Sequence, residues 1–249
     1  MTLDREFAAA ALSSLGLGPR TRLLAVCAST EDWDVLCSLG FTDVVVSNLD
    51  ETFAPLVPEG AWSYQDAQSL AYDDRSFDWV FVSEGLHHCR SPHRALVEMY
   101  RVCRVGIVAI EARDSPLVRL AVRLGMADAY ELAAVADQGF RAGGLDNTSV
   151  PNHVYRWTES EVVKTLRSYD PTGEPLIEFR YGLRLPTAEA TGGRRRVAGR
   201  MSRPVLRAMS TVFKRQCNQL AIIARRPTGL YPWLHMVDGQ AQFNPGYRR

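Results

Sequence analysis

The chain lacks most of the features that announce a function at once. It has five cysteines (Cys27, Cys37, Cys89, Cys103 and Cys217), an odd and widely scattered set. No pair has zinc-ligand or redox-motif spacing, so a disulfide scaffold and a structural zinc site are both disfavoured. Reduced, buried thiols in a cytoplasmic protein are the expectation. No apolar run approaches the roughly 20 residues that span a bilayer. The first residues lack a basic segment followed by an apolar core, so no signal peptide is expected. Neither sign of charge dominates: 29 Lys and Arg stand against 28 Asp and Glu, net +1. Nothing global therefore points to nucleic acid or another polyanion. The local exception is the basic region around Arg194-Arg195-Arg196. No internal repeat is visible.

What is present is ordinary globular material: 249 residues, 46% hydrophobic and 23% charged. The informative stretch is Asp66 to Asp114. Trp79-Val80-Phe81-Val82 is a short apolar run suited to a parallel strand buried on both faces. Ser83 to His88 leaves that strand at its carboxyl end, where open α/β sheets bind ligands. Arg94 to Arg104 carries apolar residues at helical spacing, and Ile107 to Ile110 reads as a second buried strand. Before this unit lie strand patterns at Leu23–Val26, Val44–Val46 and Trp62–Tyr64, with a helix from Trp33 to Leu39. After it, Thr158-Glu159-Ser160-Glu161 is a capping-box pattern opening a helix to Tyr169. Leu176 to Leu185 and Asn218 to Ala224 read as two further strands.

In order and spacing, these pieces resemble a class I S-adenosylmethionine-dependent methyltransferase. The resemblance covers roughly residues 20 to 112. It rests on Asp66-Ala67, on Ser76-Phe77-Asp78 before a hydrophobic strand, on the Leu86-His87-His88 exit and on Glu98-Met99-Tyr100-Arg101-Val102. Tyr155 to Glu161 also fits the family's lead into a late helix. The resemblance implies an α/β, Rossmann-like domain: a mainly parallel seven-stranded sheet, helices on both faces and a helical insertion. The whole chain, 1–249, would be one domain. The insertion over 115–155 would cover the substrate side, with a basic helical insertion at 187–215 and a C-terminal arm at 227–249.

The resemblance also implies S-adenosylmethionine as cofactor and a set of residues to hold it. These are Cys27, Ala28 and Ser29 after the first strand, and Asn48, Leu49 and Asp50 after the second. Asp66, Ala67 and Gln68 follow the third, and Glu84 and Gly85 the fourth. Asp50 would accept the ribose hydroxyls and Asp66 the exocyclic amine of adenine; each could equally be a cap or turn residue. One departure stands out. The family's first turn is Gly-x-Gly-x-Gly, and here Cys27, Ser29 and Glu31 stand at the glycine places. A β-carbon makes positive φ costly, so a turn of different shape is expected.

Methyl transfer to a hydroxyl needs a base near neutral pKa. His87 and His88 sit where such a base belongs. Adjacent residues rarely point the same way, so at most one is expected to act, and either could instead be structural. Glu111, Asp114 and His153 are further candidates, but with His88 they have no metal-binding spacing and no metal is expected. A closer likeness of Gly40–Asp43, Ser47–Asp50 and Leu86–Pro92 to bacterial methyltransferases of glycan assembly suggests a sugar or other small-molecule hydroxyl as acceptor. Arg113, Arg141 and Arg156 could hold an anionic acceptor. A homodimer is left open. The altered first turn keeps a second reading alive: a non-catalytic binding or scaffold protein on the same fold.

Overall fold

The central strands of this chain are apolar on both faces, and the fold follows from that. The computed structural model describes residues 3–184 and 213–248. The basic helical segment expected over 187–215 therefore lies almost wholly outside the described residues. The first helix, α1, spans Leu3–Ser13 and is followed by β1, Leu23–Ala25. Next come α2 (Thr30–Ser38), β2 (Val44–Asn48), β3 (Trp62–Tyr64), β4 (Phe77–Ser83), α3 (Pro92–Val102) and β5 (Cys103–Ala112). Two short helices, α4 (Pro116–Arg123) and α5 (Leu132–Asp137), precede α6 (Glu159–Tyr169), β6 (Leu176–Gly182) and β7 (Gln219–Arg225). The last two strands, β8 (Leu234–Val237) and β9 (Gln240–Phe243), form a separate antiparallel hairpin within the segment expected as a C-terminal arm.

The main sheet has seven strands in the order β3-β2-β1-β4-β5-β7-β6. β1 to β5 run parallel, and only β7 pairs antiparallel, with β5 on one side and β6 on the other. The α/β architecture expected from sequence is thus the one observed. Side chains alternate between two cores, as the two-residue period of a strand requires. Leu24, Val80, Val82, Ile107 and Ile222 pack on the face covered by α3 and α6. Leu23, Phe81, Val108, Ile110 and Ile223 pack on the face covered by α1 and α2. The expected capping box opens α6: Glu161 Oε2 accepts from the Thr158 amide at 2.9 Å, and Thr158 Oγ1 accepts from the Glu161 amide at 3.3 Å. At α3, Pro92 takes the first turn and Ser91 caps the amide of Arg94.

Gly106 shows how tightly the sheet centre is drawn. A β-carbon there would lie 2.6 Å from the Ala224 carbonyl oxygen and 2.9 Å from the Trp79 ring. Gly106→Ala should lower stability by about 1–3 kcal/mol, because neither sheet backbone nor a buried indole can yield cheaply. A urea-unfolding midpoint equal to that of the parent protein would contradict this packing.

Candidate active site

Four strand exits meet at one edge of the sheet, around the point where the strand order reverses between β1 and β4. They line a cleft of about 310 Å³, within the roughly 300–1,000 Å³ typical of small-molecule sites. Of the expected cofactor residues, Cys27, Ser29, Asn48, Leu49, Asp50, Asp66, Ala67, Gln68, Glu84 and Gly85 all line it. Ala28 does not; it is buried, and its amide bonds the Ser47 carbonyl.

At the exit of β1, one of the three substituted glycine places takes positive φ after all. Cys27 takes the left-handed conformation at φ 51°, although it carries a β-carbon. Such a residue costs about 1–2 kcal/mol of backbone strain. The room for it comes from the neighbouring exit. A β-carbon on Gly85 would stand 2.5 Å from Cys27 Cβ and 3.0 Å from Val82 Cγ2. The glycine missing from the first turn is in effect supplied by β4. Asp32 completes the turn, accepting from both the Ser29 amide (2.8 Å) and the Ser29 hydroxyl (3.0 Å).

The other exits are pinned by their own side chains. Asn48 donates to the Ala28 carbonyl at 2.9 Å and accepts from the Asp50 amide at 3.1 Å, tying the first two exits together. Asp50 Oδ1 accepts from the Thr52 amide and hydroxyl. Asp66 Oδ1 accepts from the Gln68 amide and side chain. In each carboxylate the second oxygen has no hydrogen-bond partner among the described residues. Glu84, at φ 52°, turns its carboxylate to Arg184 and Gln219.

The residues of 115–155 reach the same cleft. Gly143, Gly144, Asp146 and Asn147 line it. Asp146 accepts from Gln68 Nε2 at 3.0 Å and from the Arg90 amide and Nε, while Asn147 donates to the Leu49 carbonyl at 3.3 Å. Asp146 and Asn147 both have positive φ, tolerated because short polar side chains visit that region.

His87 and His88 occupy a short 3-10 turn, Leu86–His88. The expectation that they diverge fails: their rings lie side by side, centroids 4.7 Å apart, and both reach Glu131. His87 Nε2 is 3.3 Å from Glu131 Oε1, and His88 Nε2 is 3.2 Å from Glu131 Oε2. His87 is buried and away from the cleft, with Nδ1 on Glu111 Oε2 at 3.0 Å; His88 lines the cleft. Burial works to lower the His87 pKa, but hydrogen bonds and charge from Glu111 and Glu131 outweigh it and raise the group. His88 is lowered, first by burial and then by neighbouring His87. Glu131 is held below the usual carboxylate range, its own burial being outweighed by the two histidines and Asn152.

Several other candidates serve the framework. Glu111 is fully buried and accepts from the Gly85 and Leu86 amides at 3.1 and 2.8 Å. Arg113 is buried on Glu159 and the Arg215 carbonyl, with its guanidinium over the Tyr181 ring. Asp114 pairs with Arg119, and Arg156 bonds the Val154 and Asp128 carbonyls. His153 stacks edge-on against Tyr130, and Arg141 is exposed. None of these lines the cleft. Sequence reasoning missed Glu131, which sits just before α5; its only signal was an acidic residue opening an apolar helical run.

A methyltransferase-domain family model matches residues 27–110, the span that builds this cleft. Over residues 27–110 the chain is similar to this methyltransferase-domain family. Demethylmenaquinone methyltransferase of Staphylococcus aureus is 30% identical over 118 residues, covering 43% of this chain and 49% of the relative. The chain thus spans about half the length of the curated relatives it matches. Two solved structures share the fold at low identity. An S-adenosylmethionine-dependent methyltransferase from Mesorhizobium loti superimposes with TM-score 0.53 at 17% identity, covering 89% of this chain and all of that one. The cyclase SpnF superimposes with TM-score 0.55 at 15% identity, covering 90% and 81%. The shared fold is thus one on which a cyclase is also built. No helix among the described residues is long and apolar enough to cross a membrane.

Two predictions follow from the β1 turn. Gly85→Ala should cost about 2–3 kcal/mol, and adding Cys27→Gly should recover most of it, since the two β-carbons exclude each other. A double-mutant cycle in urea with no coupling would sink that account. Asp32 is raised by burial to about 6, with bonds from Ser29 opposing the rise. Its folded pKa exceeds its unfolded one, so the protonated form favours folding. That contribution is present below about 3.8 and is lost as pH rises through about 6. The stability of the parent protein relative to Asp32→Asn should therefore fall between those values and be flat above them. Denaturation midpoints of both proteins across that range provide the check.

Proposed function

We propose that this chain transfers a methyl group from S-adenosylmethionine to a hydroxyl of a sugar, glycan or other small molecule. The observation that carries the reading is the cleft itself: four strand exits of a methyltransferase domain, with two carboxylates each offering an uncommitted oxygen. The donor set fits the cofactor. Asp50 suits the ribose hydroxyls, and Asp66 suits the exocyclic amine of adenine. When bound, the cofactor supplies a methyl group already activated on a sulfonium.

The chain's own part is to position, exclude water and remove a proton. Asp146 and Asn147 cover the cleft through their bonds to Gln68, Arg90 and Leu49. His88 lines the cleft, its Nε2 is oriented by Glu131, and its lowered pKa favours the neutral ring that a base requires. His87 acts as a positioning residue, held between Glu111 and Glu131. The choice of a sugar-type acceptor rests on the likeness of Leu86–Pro92 and its companions to glycan-assembly methyltransferases. The relative from S. aureus acts on demethylmenaquinone by name, so a quinone-like acceptor belongs in the same assay.

A second reading is a binding or scaffold protein. It is favoured by the strained Cys27 turn and by the side-chain bonds that tie the cover to the cleft. Calorimetric titration with S-adenosylmethionine and S-adenosylhomocysteine separates the two. Methyl transfer calls for micromolar binding that Asp66→Ala weakens about tenfold or more, the worth of a hydrogen bond to a charged group. It also calls for a His88→Ala variant slowed about a hundredfold with cofactor affinity retained. No binding at millimolar ligand, with the protein folded, would favour the scaffold.

A further inference from the structure

We infer that His87, His88 and Glu131 form a binding site for a divalent transition-metal ion at the acceptor end of the cleft. His87 Nε2, His88 Nε2 and a Glu131 carboxylate oxygen all lie within 4.8 Å of one another. The two nearest pairs are 3.3 and 3.2 Å apart. Metal–ligand bonds of about 2.0–2.2 Å around a tetrahedral centre put neighbouring ligand atoms roughly 3.3–3.5 Å apart. The two imidazole–carboxylate pairs are near that spacing, each through a different Glu131 oxygen, while the imidazole nitrogens are held within 4.8 Å of each other, so an ion would draw the groups slightly together.

The hydrogen-bond roles point the same way. Glu111 Oε1 accepts from the Gly85 and Leu86 amides, so its Oε2 is aimed at His87 Nδ1. A carboxylate accepts, so Nδ1 donates, and neutral His87 presents a lone pair at Nε2. That lone pair faces a second acceptor, Glu131 Oε1. Two acceptors facing each other need a cation between them: a second proton on the ring or a metal ion. The carboxylate–histidine pair behind the ligand is the arrangement that orients metal-bound imidazoles. Asn152, also buried, donates to Glu131 Oε2 at 3.2 Å and to the His87 carbonyl at 3.2 Å, fixing the third ligand against the first. Two imidazoles and one carboxylate suit zinc, iron or cobalt rather than magnesium or calcium.

His88 and Glu131 keep side-chain exposures of 31% and 30%, and His88 lines the cleft. A fourth position therefore remains open to water or to an acceptor oxygen. The site stands on its own geometry; its use on an acceptor rests on the methyl-transfer reading. There, a hydroxyl bound to the ion would lose its proton to solvent more readily, and His88 would serve as ligand rather than base.

The test uses tag-free, chelator-stripped full-length protein titrated with zinc by calorimetry, and with cobalt by visible absorption. Expected are one ion per chain, a Kd of about 1 μM or tighter, and intense tetrahedral cobalt bands. His88→Ala and Glu131→Gln should each weaken binding at least about a hundredfold, and Glu111→Gln about 10–100-fold. The thiols of Cys27 and Cys89 lie 4.0 Å apart; Cys27→Ser/Cys89→Ser should leave binding intact, and loss there would assign the ion to those thiols and overturn the proposal. Absence of binding at about 100 μM zinc would overturn it too, as would ¹⁵N spectra of zinc-treated protein showing His87 protonated on both nitrogens. Calorimetry with S-adenosylhomocysteine on the same sample reads the methyl-transfer proposal separately.

Discussion

A buried carboxylate near the end of β5 holds the working edge of this protein together. Glu111 receives two backbone amides from the β4 exit and the ring of His87. Without it, Gly85 and Leu86 would each carry an orphaned buried donor, at about 1–3 kcal/mol apiece. The consequences run outward. Fixing the Gly85 backbone fixes the gap into which Cys27 Cβ fits, and so the left-handed turn after β1. Asn48 then couples that turn to the β2 exit. Three of the four cleft-forming exits thus depend, directly or at one remove, on a side chain that itself never reaches the cleft.

The same carboxylate sets the electrostatics around His87 and His88. Glu111 and Glu131 flank one imidazole, and the second imidazole shares Glu131. Positive charge is favoured on His87 and disfavoured on His88. Two adjacent histidines are thereby driven to opposite protonation preferences, a common origin of divided roles in a site. The alternatives of imidazolium and metal ion are two answers to one requirement, that the acceptors around His87 be bridged by something positive.

The sheet was legible because parallel strands buried on both faces leave unbroken apolar runs, as Trp79–Val82 and Ile107–Ile110 do. The capping box at Thr158 was legible because its logic is local. That the residues expected to hold the cofactor meet at one cleft was legible because each follows closely on a strand. What could not be read was anything made by residues distant in sequence. Glu131 gives no local sign of its two histidine partners, and Cys27 gives no sign that Gly85 makes room for it. The 3-10 turn that brings the His87 and His88 rings side by side also escaped, because adjacent side chains were expected to point apart.

The departure from the family's first turn is better understood as a relocation than as a loss. A glycine serves two purposes at such an exit: it permits positive φ, and it clears space. Here the two are separated. Cys27 keeps the positive φ at a cost of about 1–2 kcal/mol, and Gly85 clears the space. S-adenosylmethionine has no pyrophosphate, so the demand for backbone amides cradling phosphate, which fixes three glycines in dinucleotide sites, does not arise. A turn with one strained non-glycine residue and a glycine across from it is therefore compatible with the proposed methyl-transfer role. By this argument, a changed glycine pattern in this fold is weak grounds for calling a chain inactive until the neighbouring strand exit has been examined.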